Sequence, residues 1–133
     1  MEISLIFVSS EAAPYSKTGG LGDVSGALPT ALQELGCDVS LFLPLYRETI
    51  LKGIDIKPTG IEVVVPLGRR MIRAGVYSAP GAEVPTFFIS CDEFYDRTFL
   101  YGPPERDYFD NLERFTLFSR AVPEAVSALG LKA

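Results

Sequence analysis

The sequence contains no histidine, and that one absence removes several chemistries. Neither a Ser-His-Asp nor a Cys-His nucleophile system can be assembled within this chain, and no metal can be held by imidazole. Cysteine is scarce: Cys37 and Cys91 stand far apart, without metal-ligand spacing, and read as reduced thiols of a cytoplasmic protein. No apolar run is long enough to cross a bilayer, and the Met1-Glu2 start lacks the basic region of a secretory signal. Positive charge is in deficit, with 12 Lys and Arg against 17 Asp and Glu and a net charge of −5. That balance argues against nucleic acid or an anionic membrane as the main partner. There is no internal repeat and no low-complexity segment.

The 133 residues are 47% hydrophobic, which suits one compact domain with a proper core. Residues 3–8, ISLIFV, form a continuous apolar run, as in a strand buried on both faces of a parallel sheet. Residues 38–46, DVSLFLPLY, read the same way, with Pro44 as the stop. Between them Val24, Leu28, Leu32 and Leu35 recur at helical spacing, and Gly36 supplies the end. This is a βαβ unit, with a kink expected at Pro29. IEVVVPL (61–67), RMIRAGVYSA (70–79) and VPTFFIS (84–90) are strand-like, with links too short for crossover helices, so two of them should pair as a hairpin. Residues 92–107 read as a short helix capped by Asp92, followed by a Gly-Pro-Pro loop. A final helix carries the stripe Phe109, Leu112, Phe115, Val122, Val126 and Leu129, with a bend expected at Pro123 and an end at Gly130. After such a helix, LGLKA should lead into another parallel strand. The expectation is therefore a fragment, residues 1–133 of an incomplete α/β lobe.

The chemistry concentrates in SSEAAPYSKTGGLGDVSGALPTAL, residues 9–32, where Gly19, Gly20, Gly22 and Gly26 follow Lys17 at the start of a helix. The first turn of a helix leaves amides unpaired and carries partial positive charge, so it attracts anions. Glycines let a ligand approach the backbone, and lysine adds a full charge. Phosphate suits such a place at the carboxyl end of a parallel strand. A P-loop is excluded, because it needs its lysine after the glycines. A dinucleotide fingerprint over Gly20, Gly22 and Gly26 starts about ten residues too late and lacks the acid that ends the second strand. On these residues alone, a phosphate cradle and a packing turn with a solvated Lys17 fit equally well.

The same stretch resembles the opening signature of bacterial glycogen synthases and plant starch synthases. KTGGLGDV with GALPTAL, LFLPLY, FYDR with LYG, and DYFDNLERFTLFSRA match that family in order across nearly the whole chain. The resemblance implies the N-terminal Rossmann-like lobe of a two-lobed, GT-B type glycosyltransferase. Its sheet would be mainly parallel, with an inserted β-hairpin and flanking helices. The implied activity is transfer of glucose from ADP-glucose to the non-reducing end of an α-1,4-glucan with retention of configuration, without metal or other cofactor. Other nucleotide-sugar-dependent retaining glucosyltransferases, including sucrose synthase relatives, and a non-catalytic glucan-binding module are the alternatives. The choice between ADP-glucose and UDP-glucose is left open.

The resemblance also carries residue roles. Lys17 matches the lysine that contacts the donor, and Gly19 and Gly20 match glycines whose amides face the sugar and diphosphate. Asp23 matches an acid in the cleft and is the single candidate for a catalytic role, its alternative being a helix first-turn aspartate. Glu11 is read either as an acceptor for glucan hydroxyls or as a solvated loop carboxylate. Tyr101 is read as a ring near the sugar or as a locally packed loop tyrosine. Asp110 and Asn111 are read as cleft polar groups or as a polar helix face. The family's next strand, bearing His-Asp-Trp, and its second lobe lie beyond residue 133, so this fragment is expected to be inactive alone.

Overall fold

The computed structural model describes residues 2–133. A five-stranded sheet has the order β1-β2-β5-β4-β3. Strands β1 (Ser4–Val8), β2 (Asp38–Pro44) and β5 (Thr86–Ser90) run parallel to one another, while β4 (Arg70–Ser78) and β3 (Lys57–Leu67) extend the sheet antiparallel. The hairpin expected in the middle is β3–β4. Leu67 pairs with Arg70, and Gly68 takes φ 61° at the first of the two turn positions, where a two-residue turn needs a left-handed residue. β3 begins earlier than its apolar run suggests, at Lys57, with a shift of register between Pro58 and Ile61.

The sheet is covered on both faces. On one, Phe42, Val63, Val65, Ile72, Ala74, Val76 and Ile89 pack with Leu117, Phe118, Ala121, Val122 and Ala125 of helix α4 (Asn111–Leu129). On the other, Val39, Leu41, Leu43 and Phe88 pack beneath helix α1 (Gly20–Glu34) and the loop before it. Consecutive β2 residues are buried from Val39 to Pro44, as a central strand covered twice requires. Two short helices, α2 (Arg47–Leu51) and α3 (Asp92–Tyr95), follow β2 and β5.

Both long helices differ from their expected faces. In α4, Phe109 lies before the helix and is exposed, as is Leu112. From the expected stripe Val122 is buried and Val126 and Leu129 pack against the core, while Leu117, Phe118, Ala121 and Ala125 widen the buried face that α4 lays on β3. Of the stripe expected for α1, Val24, Leu28 and the C-cap Leu35 are exposed, and only Leu32 is half-buried. Its buried residues are Gly22, Ser25 and Pro29. The reason is proximity: a Cβ on Gly26 would lie 2.6 Å from the Ala13 carbonyl oxygen, so the backbone of residues 11–13 occupies the space that larger side chains would need. Pro29 is accommodated inside α1 and Pro123 inside α4. Cys91, not Asp92, stands at the N-cap of α3. Gly130 closes α4 with φ 70°, the left-handed cap its sequence position signals.

Candidate functional site

Parallel strands deliver their outgoing loops to one edge of the sheet, the usual place for a ligand in an open α/β fold. Here the loops after β1, β2 and β5 meet at that edge and are laced by hydrogen bonds. The Tyr46 hydroxyl donates to the Ser10 carbonyl at 2.7 Å. The Tyr101 hydroxyl lies 2.7 Å from Ser10 Oγ and donates to Glu11 Oε1 at 2.7 Å. Asn111 Nδ2 donates to the Tyr101 carbonyl at 2.9 Å, and the Tyr108 amide does so at 2.8 Å.

Glu11 is the hub. It is 2% exposed, which corrects the reading of a solvated loop carboxylate. Oε2 accepts from the Thr18 amide at 2.7 Å and from the Gly19 amide at 3.4 Å, and Oε1 accepts from the Thr18 hydroxyl at 2.8 Å. Burial pushes this carboxyl up, but the Thr18 amide, the Tyr101 and Thr18 hydroxyls and the Gly19 amide outweigh it. The pKa therefore lies below the ordinary 4.5. Burial in turn raises Tyr101 to about 12, so the phenol stays protonated and donates.

The lysine–glycine loop sits on this hub. Lys17 Nζ is 2.8 Å from Asp23 Oδ1, with both side chains near half exposure (48% and 61%). The Lys17 amide donates to Glu48 Oε2 at 3.1 Å. Asp23 is thus an ion-pair partner in the first turn of α1, where the macrodipole favours an acid. An exposed pair of this kind is worth about 0.2–1 kcal/mol, so an arriving dianion can take the ammonium away at small cost. Gly19 stands at the N-cap of α1 without a side-chain cap. Among the described residues, the amides of Gly20 and Leu21 have no hydrogen-bond acceptor, and nothing lies within 4 Å of a Cβ built on Gly19 or Gly20. The open donor pair is therefore Gly20 with Leu21, because Gly19's amide already leans on Glu11. The Leu21 amide carries no sequence signal of its own, since any residue at the second helical position leaves one.

The remaining expected residues, Tyr101, Asp110 and Asn111, are partly exposed and bond within the protein. Asp110 receives a two-pronged bond from Arg97, both contacts at 2.6 Å, which holds its carboxyl below the usual range. Asn111 supports the Tyr101 loop from behind, and its Oδ1 accepts from Arg114 at 2.8 Å. The Tyr101 ring tilts against Phe115 with centroids 5.8 Å apart and remains half-exposed. A cavity of about 410 Å³ opens beside it, lined by Val8, Ser9, Ser10, Phe115, Phe118 and Ser119.

Arg114 gives no sign of burial in the sequence, where LERF reads as an ordinary charged helix face. It is 0% exposed. Nε donates to the Phe94 carbonyl at 2.6 Å and Nη1 to the Leu100 carbonyl at 2.7 Å, with the guanidinium 4.9 Å from the Tyr108 ring centre and 5.1 Å from that of Phe115. It fixes the backbone on the near side of Tyr101. Among the described residues no cluster of His, Cys, Asp or Glu could hold a metal, and no helix is long and apolar enough to cross a membrane.

The chain is similar to the glycogen synthase of Syntrophotalea carbinolica, at 37% identity over 130 residues, covering 98% of this chain and 27% of the relative. It is likewise similar to the glycogen synthase of Koribacter versatilis, at 42% over 128 residues, covering 96% and 26%. Its fold superposes on the catalytic domain of Starch Synthase IV from Arabidopsis thaliana, a structure bound to ADP and acarbose, with a TM-score of 0.78 and 27% identity over 98% of this chain and 26% of that one. Sequence and fold thus lead to one group of proteins. The starch synthase catalytic domain model matches residues 4–133, and the chain belongs to that family.

Proposed function

We propose that the complete protein carrying this lobe transfers glucose from ADP-glucose to the non-reducing end of an α-1,4-glucan, with retention of configuration. The observation that carries this reading is the mouth of α1: unpaired Gly20 and Leu21 amides, open space above Gly19 and Gly20, and the Lys17 ammonium on a weak exposed pair. Such donors stabilise the charge that develops on a departing diphosphate without reorganising, and in many enzymes this electrostatic effect dominates the rate enhancement. The similarity to glycogen synthases and to a starch synthase solved with ADP and acarbose supports the same donor and acceptor classes. Lys17 and the loop amides hold the diphosphate, and the half-exposed Tyr101 ring borders the sugar. Because this lobe is one wall of a cleft, a C-terminal lobe supplies the other and excludes water on closure. Glycogen or starch synthesis in the cytoplasm belongs to the same proposal and is checked by cell fractionation.

The decisive measurement is donor kinetics on the complete enzyme. ADP-glucose should be turned over in preference to UDP-glucose; equal turnover would favour another retaining glucosyltransferase, and glucan binding with no turnover would favour a binding module. Lys17→Ala should reduce kcat/KM for ADP-glucose by about 100-fold, the scale of losing one charged transition-state contact. Its melting temperature should stay put, since the Lys17–Asp23 pair is exposed. Unchanged kinetics would remove the lysine from the site.

A further inference from the structure

We infer that Glu11 is the positioning residue of the lysine–glycine loop, a buried anion that holds the loop's inner amides so that its outer ones face the donor. The inference goes beyond the proposed function and relies on it only where substrate kinetics are read. A carboxylate next to a diphosphate site is at first sight a poor choice, because like charges repel. Its bonds explain the choice. Four donors from two loops converge on it: the Thr18 and Gly19 amides, the Thr18 hydroxyl and the Tyr101 hydroxyl. Hydrogen bonds to an ionised acceptor are stronger than neutral ones, and here they replace the water that burial removes.

The geometry leaves no slack around the carboxylate. A Cβ on Gly22 would fall 2.7 Å from Glu11 Oε2 and 2.8 Å from Lys17 Cγ. The first turn of α1 thus lies directly on the carboxylate, and glycine is required at 22 for that approach. With Thr18 and Gly19 turned inward, Gly20 and Leu21 are the amides left outward. Tyr101 ties the same carboxylate to the β5 loop, which Asn111 and Arg114 brace from α4. Glu11 therefore passes the rigidity of α4 to a loop that has no side-chain cap of its own.

The test separates geometry from charge. Glutamine at 11 can point its carbonyl oxygen at both amides and its NH₂ at the two hydroxyls, which can turn to accept; alanine can do neither. Amide exchange at Thr18 and Gly19 is compared in the complete, substrate-free protein as wild type, Glu11→Gln and Glu11→Ala. Alanine should speed exchange at both amides by about tenfold or more, leaving the β2 amides unchanged, while glutamine keeps most of the protection. In turnover, alanine should raise KM for ADP-glucose by about tenfold and leave KM for glucan within about twofold, and glutamine should recover donor KM to within about threefold of wild type. Unchanged protection in the alanine variant overturns the inference. So does a glutamine variant as impaired in turnover as alanine, because the charge itself would then be needed at the substrate. If alanine prevents folding, Tyr101→Phe takes its place: loss of that donor should speed Thr18 exchange about threefold, and no change overturns the assignment. A wild type that turns over no ADP-glucose sinks the proposed function alone, and the exchange data still decide the role of Glu11.

Discussion

The two long helices solve opposite problems. Helix α4 buries Leu117, Phe118, Ala121, Val122 and Ala125 against the hairpin and ends in a glycine cap. Helix α1 buries Gly22, Ser25 and Pro29 and turns Leu21, Val24, Leu28 and Leu35 outward. Apolar burial makes α4 a source of stability, at about 25 cal/mol per Å² removed from water. Close backbone approach makes α1 a frame for the loop before it, with little hydrophobic gain. The helix that bears the candidate chemistry is thus the one that contributes less to the core.

That comparison can be broken in order of effect. Leu117→Ala in α4 should cost about 2–5 kcal/mol by equilibrium unfolding, because the side chain is fully buried and its removal leaves a cavity in the core. A cost below about 1 kcal/mol would show that α4 is not the stabilising helix. Gly26→Ala in α1 should cost about 1–3 kcal/mol, since the new methyl meets the Ala13 carbonyl, a backbone atom that cannot swing aside. Gly20→Ala should leave stability within about 0.5 kcal/mol, as nothing surrounds its Cβ. It should still weaken ADP-glucose use by crowding the open amides. Leu28→Ser, on the outward face, should change the stability of this lobe by about 0.5 kcal/mol or less; a larger loss would reveal a partner covering that face.

Acid gives a separate handle on the loop. The Glu11 pKa is lower in the folded state than the ordinary 4.5. Its contribution to stability is therefore complete above that value and is lost as pH falls through the folded pKa. Between roughly pH 4.5 and that lower value, wild type should lose stability more steeply than Glu11→Gln, which has no proton to bind. Parallel curves in acid unfolding would remove the buried charge from the account.

Much of the fold is legible in the residues. Continuous apolar runs mark β1 and β2, although only β2 is buried on both faces and β1 is the half-buried edge strand, and links too short for crossover helices mark the hairpin. KTGG marks the loop, and its resemblance leads to the right family. The outward stripe on α1 is not legible, because helical spacing tells which residues share a face but not whether that face is covered. The burial of Glu11 is hidden for a similar reason: the donors that surround it stand seven to ninety residues away.

What the sequence determined by itself was local: strand, helix and turn types, and a lysine beside glycines at a helix start, all set by side-chain period and backbone freedom. Only the tertiary structure decided how the charges are used. It turned Thr18 and Gly19 onto a buried Glu11, parked Lys17 on Asp23 and sank Arg114 between the Tyr108 and Phe115 rings. Glu11 meets Tyr101, ninety residues away, only because loops from separate strands reach one sheet edge, and desolvation there makes every unmet hydrogen bond costly.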